Sequence, residues 1–177
     1  MTAWVALLRG VNVGGVTIRS ADLAQVFRDL GFEAVRTVLA SGNVTFETDA
    51  APGGRAQLKG SIEKALRDRF GYDAWILLVT REELLAAIDA FPFDDTAADR
   101  QPWVIFCVDE ATRDELTDAA ASLDPAVDPV RPGPGVIYWN PAKGSTTDTP
   151  FAKLLAKSAF KPRTTNRNLR TLRKLTA

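Results

Sequence analysis

The chain has no histidine. That excludes the Ser-His-Asp and Cys-His nucleophile arrangements and removes the side chain best suited to proton transfer near neutral pH. Cys107 is the only cysteine, so an intrachain disulfide is excluded, and the ligands of an ordinary zinc site are missing as well. Cys107 lies in the apolar run 103–108, where a small buried hydrophobe is its expected role. No apolar run approaches the roughly 20 residues that cross a bilayer. The N-terminal run 3–8 is short for a signal-peptide core, and no basic segment precedes it; a cytoplasmic location with no membrane association is expected. Any chemistry falls to carboxylates, Lys, Arg, Ser, Thr, Tyr or a bound magnesium ion. The sequence indicates no resident metal and no cofactor.

What is present is ordinary in amount and uneven in placement. The 177 residues, 46% of them hydrophobic, suffice for one large domain or two small ones. Net charge is zero, with 22 basic and 22 acidic residues. Eight of the basic ones (Lys153, Lys157, Lys161, Arg163, Arg167, Arg170, Arg173 and Lys174) follow the last acid, Asp148. The tail is therefore suited to an anionic partner, or to docking on the chain's own acidic body.

Residues 3–8 read as a buried strand, followed by a glycine-bearing loop, 10–15. Leu23, Val26, Phe27 and Leu30 recur at helical spacing, with Ser20 as N-cap and Gly31 as stop. Residues 35–40 and 44–48 read as strands around the hairpin turn Ser41-Gly42-Asn43. Leu58, Ile62, Leu66 and Phe70 mark a second helix, and 75–80 a fourth strand. Strand, helix, strand, strand, helix, strand is the ferredoxin-like βαββαβ order. The fold class is α+β: a ferredoxin-like first half, residues 1–80, then a smaller α+β second half, 81–177, with a soft boundary because no low-complexity linker separates them. The second half repeats neither the sequence nor the pattern closely. It reads as helix 82–90, strand 103–108, helix 110–123, strands 127–131 and 136–139, helix 151–160, and a basic C-terminal helix capped by Thr165.

In a ferredoxin-like sheet the loop leaving strand one shares an end with the turn between strands two and three. Arg9, Gly10, Asn12, Gly14 and Gly15 should therefore neighbour Ser41, Gly42 and Asn43. The first helix opens there too, with free N–H groups and partial positive charge. These are the parts of an anion or phosphate cradle. The glycines match neither the dinucleotide fingerprint nor a phosphate-binding loop, and tight-turn geometry accounts for them equally well. In the tail, a helix 167–175 would turn Leu169, Leu172 and Leu175 inward. Arg167, Arg170 and Lys174 would then form an outward arc for phosphates or for the body's acids. No aromatic offers a base-stacking platform in it.

Residues 8–15, Leu8-Arg9-Gly10-Val11-Asn12-Val13-Gly14-Gly15, then Ser41-Gly42-Asn43-Val44, and finally Thr165-Asn166-Arg167-Asn168-Leu169-Arg170-Thr171 resemble the signature blocks of a bacterial family catalogued as domain of unknown function 1697. The resemblance spans nearly the whole chain, and its first block is the specific one. The family's terminal block usually reads Thr-x-Arg-Asn-Trp-x-Thr; Thr165, Arg167, Asn168 and Thr171 match it, and Leu169 stands in the Trp position. The resemblance implies a ferredoxin-like first half and a smaller α+β second half; Arg167 and Asn168 of the tail join the candidate ligand-binding residues. It implies no activity.

The expectation is a binding module for a small phosphate-bearing ligand or other anion. The alternatives are a magnesium-dependent phosphoryl- or nucleotidyl-transfer enzyme and a nucleic-acid binder acting through the basic tail. Nucleic acid is the less favoured partner, and Asp22 is the one carboxylate placed near the cradle.

Overall fold

Residues 1–9, 17–38 and 42–177 are described in the structure, a computed structural model. The chain divides into unit 1, Met1–Leu85 with Lys174–Ala177, and unit 2, Ala86–Arg173.

Unit 1 begins with β1 (Thr2–Arg9), whose residues 4–8 are all buried. An uninterrupted apolar run of this length suits a strand covered on both faces. It is followed by α1 (Ser20–Asp29), β2 (Glu33–Val38), β3 (Asn43–Thr48), α2 (Arg55–Phe70) and β4 (Trp75–Thr80). Among the described residues the sheet is antiparallel, in the order β2-β3-β1-β4. Trp4, Ala6 and Leu8 share one cluster with Leu23, Val26 and Phe27 of α1 and Leu58, Ile62 and Leu66 of α2. Both helices therefore cover the same face. Phe46 sits 5.3 Å edge-on to Phe27 and 4.7 Å in a stack with Phe32. Complete burial of each such side chain contributes about 1.5–3 kcal/mol.

From β4 the chain enters α3 (Arg81–Asp89), within which the unit boundary falls. Unit 2 then runs β5 (Trp103–Cys107), α4 (Glu110–Ala120), β6 (Val130–Gly133), β7 (Val136–Trp139), α5 (Pro150–Leu155), β8 (Thr164–Asn168) and α6 (Leu169–Thr176). Its sheet is antiparallel in the order β6-β7-β5-β8. Ile105, Ile137 and Trp139 meet Leu116 of α4 and Phe151 and Leu155 of α5. Buried Asp128 holds the short α5 in place: it accepts from Trp139 Nε1 at 3.0 Å and from the Phe151 N–H at 3.1 Å. The last residues of α6 count with unit 1, where Arg36 and Arg81 donate to the Lys174 and Thr176 carbonyls.

Several local expectations need correction. The second half does repeat the pattern of the first, since both units run β-α-β-β-α-β with the same strand order. The repeat was hidden because β8 is Thr-Thr-Asn-Arg-Asn, with no apolar alternation to mark a strand. Thr165 does not cap a helix; it lies in β8, opposite Phe106, and α6 starts only at Leu169. The helix expected over 151–160 stops at Leu155. The strand expected over 127–131 is displaced to Val130–Gly133. Ser20 is the first residue of α1 rather than its cap, a position taken by Arg19. β2 starts earlier than expected, at Glu33, because a bulge between Glu33 and Arg36, with Ala34 at φ 49°, absorbs the irregular start.

Candidate functional site

Arg9 is the last residue of β1 and lies opposite Trp75, the first of β4. Its guanidinium sits over the Trp75 ring, 5.9 Å from the centroid. It is half-buried, and that burial lowers its pKa from the usual arginine value. Lys59 of α2 approaches the same ring at 5.8 Å and is held by Glu63, whose carboxylate also accepts the Ile76 N–H at 3.1 Å. The ring thus gathers two cations at this end of the sheet.

Asn43, fully buried at the start of β3, pairs with Leu7. Its Nδ2 donates to the Val38 carbonyl at 3.1 Å, which ties the end of β2 to the start of β3. Gly42 adopts φ 79°, a conformation that favours glycine, and its carbonyl accepts the Leu8 N–H at 2.8 Å. Arg9, Gly42 and Asn43 therefore share one sheet end, the juxtaposition expected from strand order. Gly10, Asn12, Gly14, Gly15 and Ser41 lie outside the described residues. Among the described residues no side chain caps α1, whose N-cap residue is Arg19.

Unit 2 has a counterpart to this end. The Cys107 N–H donates to the carbonyl of Gly135, at φ 71°, as Leu8 does to Gly42. Here the following helix is capped: Asp109 Oδ1 accepts from both the N–H and the Oγ1 of Thr112, each at 2.7 Å. Those bonds hold the Asp109 carboxyl below its ordinary pKa. Arg113 closes the nearby turn by donating to the Gly133 carbonyl at 3.0 Å. Where unit 1 has Arg9 and a glycine-bearing connection, unit 2 supplies its own carboxylate.

Arg167 and Asn168 lie in unit 2, in β8, whereas Arg9, Gly42 and Asn43 lie in unit 1. Arg167 is buried and donates to Thr165 Oγ1 at 2.7 Å and to the Asn166 carbonyl at 3.0 Å. Burial pulls its pKa down to about 10, so it remains charged at neutral pH. Because Arg167 is in a strand, it forms no outward helical arc with Arg170 and Lys174. Asn168 Oδ1 accepts the Arg170 N–H at 2.9 Å and so caps α6. The sequence signal for that role was an Asn placed directly before the Leu-rich helix. Two tail cations pair with acids of unit 2, Arg163 with Glu115 and Arg173 with Asp95.

Cys107 is buried, and burial pushes its thiol up to about 12, the opposite of what an activated nucleophile requires. Among the described residues no group of three His, Cys, Asp or Glu is placed to hold a metal ion, and no helix is long and apolar enough to cross a membrane.

Residues 1–138 match the family described as "Protein of unknown function (DUF1697)". No curated protein matches the chain. Among solved structures, it is similar to conserved bacterial protein SP0830 from Streptococcus pneumoniae, with 25% identity and a TM-score of 0.82, over 99% of this chain and 97% of that one.

Proposed function

The chain belongs to the DUF1697 family, whose description assigns no function, and from its own residues we propose that unit 1 is a binding module for a small phosphate-bearing ligand or another anion. The ligand would sit at the end of the sheet marked by Arg9, Gly42 and Asn43, against the start of α1. The observation that carries this reading is the difference between the two first crossovers. In unit 2 the Asp109 carboxylate takes the Thr112 N–H at the start of α4, whereas in unit 1 no described side chain caps α1, and Arg9 ends the strand from which the chain leads to that helix. A helix start favours negative charge. A guanidinium is always charged at neutral pH, and its planar fork of N–H donors suits phosphate or carboxylate.

Magnesium-dependent transfer would need further carboxylates at this end, and Asp22 in the first turn of α1 is explained by the helix dipole alone. Arg167, in β8, forms no arc with Arg170 and Lys174, so the nucleic-acid reading stands on the other cations of the tail.

The test is thermal unfolding in phosphate or sulfate against chloride at matched ionic strength. Specific binding stabilises the folded chain by about 2.7 kcal/mol at a hundredfold excess over Kd. The expected result is an increment specific to the polyvalent anion in the parent that disappears in Arg9→Gln. An equal increment in both proteins would sink the reading.

A further inference from the structure

β4 lies at an edge of the unit 1 sheet among the described residues. Its sequence, Trp-Ile-Leu-Leu-Val-Thr, contains no charge, proline or glycine. Apolar edge strands of this kind invite pairing with another chain, and proteins commonly blunt them with charges on the strand itself. Here the charges come from elsewhere. Glu63 of α2 accepts the Ile76 N–H at 3.1 Å, Arg55 of α2 donates to the Leu78 carbonyl at 3.2 Å, and Glu83 of α3 accepts the Thr80 N–H at 2.9 Å. In an antiparallel ladder, alternate residues turn both backbone groups away from the paired strand. Residues 76, 78 and 80 are that alternate set, so the three side chains occupy three successive positions of the free edge.

The three are also linked to their surroundings. Arg55 binds the Glu83 carboxylate through both terminal nitrogens and lies over the Trp4 ring at 5.4 Å. Glu83 in turn shares a reciprocal capping box with Thr80 at the start of α3. The corresponding strand of unit 2, β8, is polar and carries its own arginine, and needs no such guard.

We propose that β4 is a latent pairing edge for a second copy of this chain, held shut by Arg55, Glu63 and Glu83. A second copy is the occupant because a strand can pair antiparallel with itself about a two-fold axis, and β4 has no charge to repel its own image. The test compares the parent with Arg55→Ala/Glu63→Ala/Glu83→Ala by light scattering over a dilution series and by amide exchange. Opening the guard should double the weight-average mass as concentration rises. In the associated species the Leu78 N–H, which points to the same side as its carbonyl, should exchange more slowly than in the parent. Should the triple variant fail to fold, Arg55→Met in place of Arg55→Ala, with Glu63→Ala and Glu83→Ala kept, retains the aliphatic stem on Trp4 and should show the same trend. Leu116→Ala, which weakens unit 2 by a cavity, should leave the mass unchanged. A guard variant with parental mass at every concentration overturns the proposal. So does association in Leu116→Ala to the same extent, which would mark general unfolding as the cause.

Discussion

Units 1 and 2 arrange four strands in the same order, yet they fix the parts around those strands by different chemistry. Unit 1 relies on a continuous apolar layer: α2, at sixteen residues, lays Leu58, Ile62 and Leu66 along the sheet. Its counterpart in unit 2, α5, has six residues and is held by a buried polar staple, Asp128. The first crossovers differ in the same sense, with Asp109 capping α4 and no described side chain capping α1. One strand order can thus be secured by apolar area or by a few directed hydrogen bonds. The second solution concentrates the stability in fewer atoms.

The largest effects should come from breaking the staple in unit 2 and from opening a cavity in unit 1. Asp128→Ala leaves the Trp139 indole N–H and the Phe151 N–H buried without acceptors, an expected loss of about 3 kcal/mol. Amide exchange should locate the loss in unit 2. Ile62→Ala should cost a similar amount by cavity formation, about 2–5 kcal/mol, but in unit 1. Equal loosening of both units by either change would show that they do not unfold separately. A smaller effect, about 2 kcal/mol, is expected from Gly133→Ala by chemical denaturation. A Cβ there would stand 2.7 Å from Tyr138 Cε2, and the Tyr138 hydroxyl is tied to the Ala87 carbonyl at 2.7 Å, so the ring has little room to yield.

The smallest effects test the two crossovers directly. Asp109→Ala should lower Tm by about a few degrees at neutral pH, since it removes a helix cap. Because the folded pKa of Asp109 is depressed, its contribution is present above the ordinary aspartate range and is lost as pH falls through the folded value. Parent and variant should therefore converge in acid. The reciprocal change, Arg19→Asp, places a cap on α1. It should raise stability by about 0.5–1 kcal/mol and abolish the phosphate-specific increment, because the new carboxylate would occupy the position proposed for the anion. An increment that survives Arg19→Asp would separate the ligand from the start of α1.

Much of unit 1 was legible in the sequence because its elements announce themselves by period. The run 3–8, the four-residue spacing of Leu58, Ile62 and Leu66, and the Ser41-Gly42-Asn43 turn each carry a local signal, and together they give the strand order. Unit 2 was legible only in part. Its β5 and α4 follow the same rules, but β6 contains Pro132 and Gly133, and β8 is polar throughout. Of the candidate site, the juxtaposition of Arg9 with Gly42 and Asn43 followed from topology. The ring beneath Arg9 did not, because Trp75 is distant in sequence and reaches Arg9 only through the pairing of β1 with β4.

The sequence by itself determined the α+β class, the ferredoxin-like course of the first half, and the exclusion of histidine-based and disulfide chemistry. These depend on composition and on the short-range periodicity of apolar residues. Only the tertiary structure decided that the second half repeats the first, that Arg167 lies in a strand while Asn168 caps the last helix, and that Asp128 fixes α5. A polar strand such as β8 is stabilised by backbone bonds to β5 and by the burial of Thr164, Thr165 and Arg167. Both depend on residues some sixty positions away, and no local pattern of side chains records them.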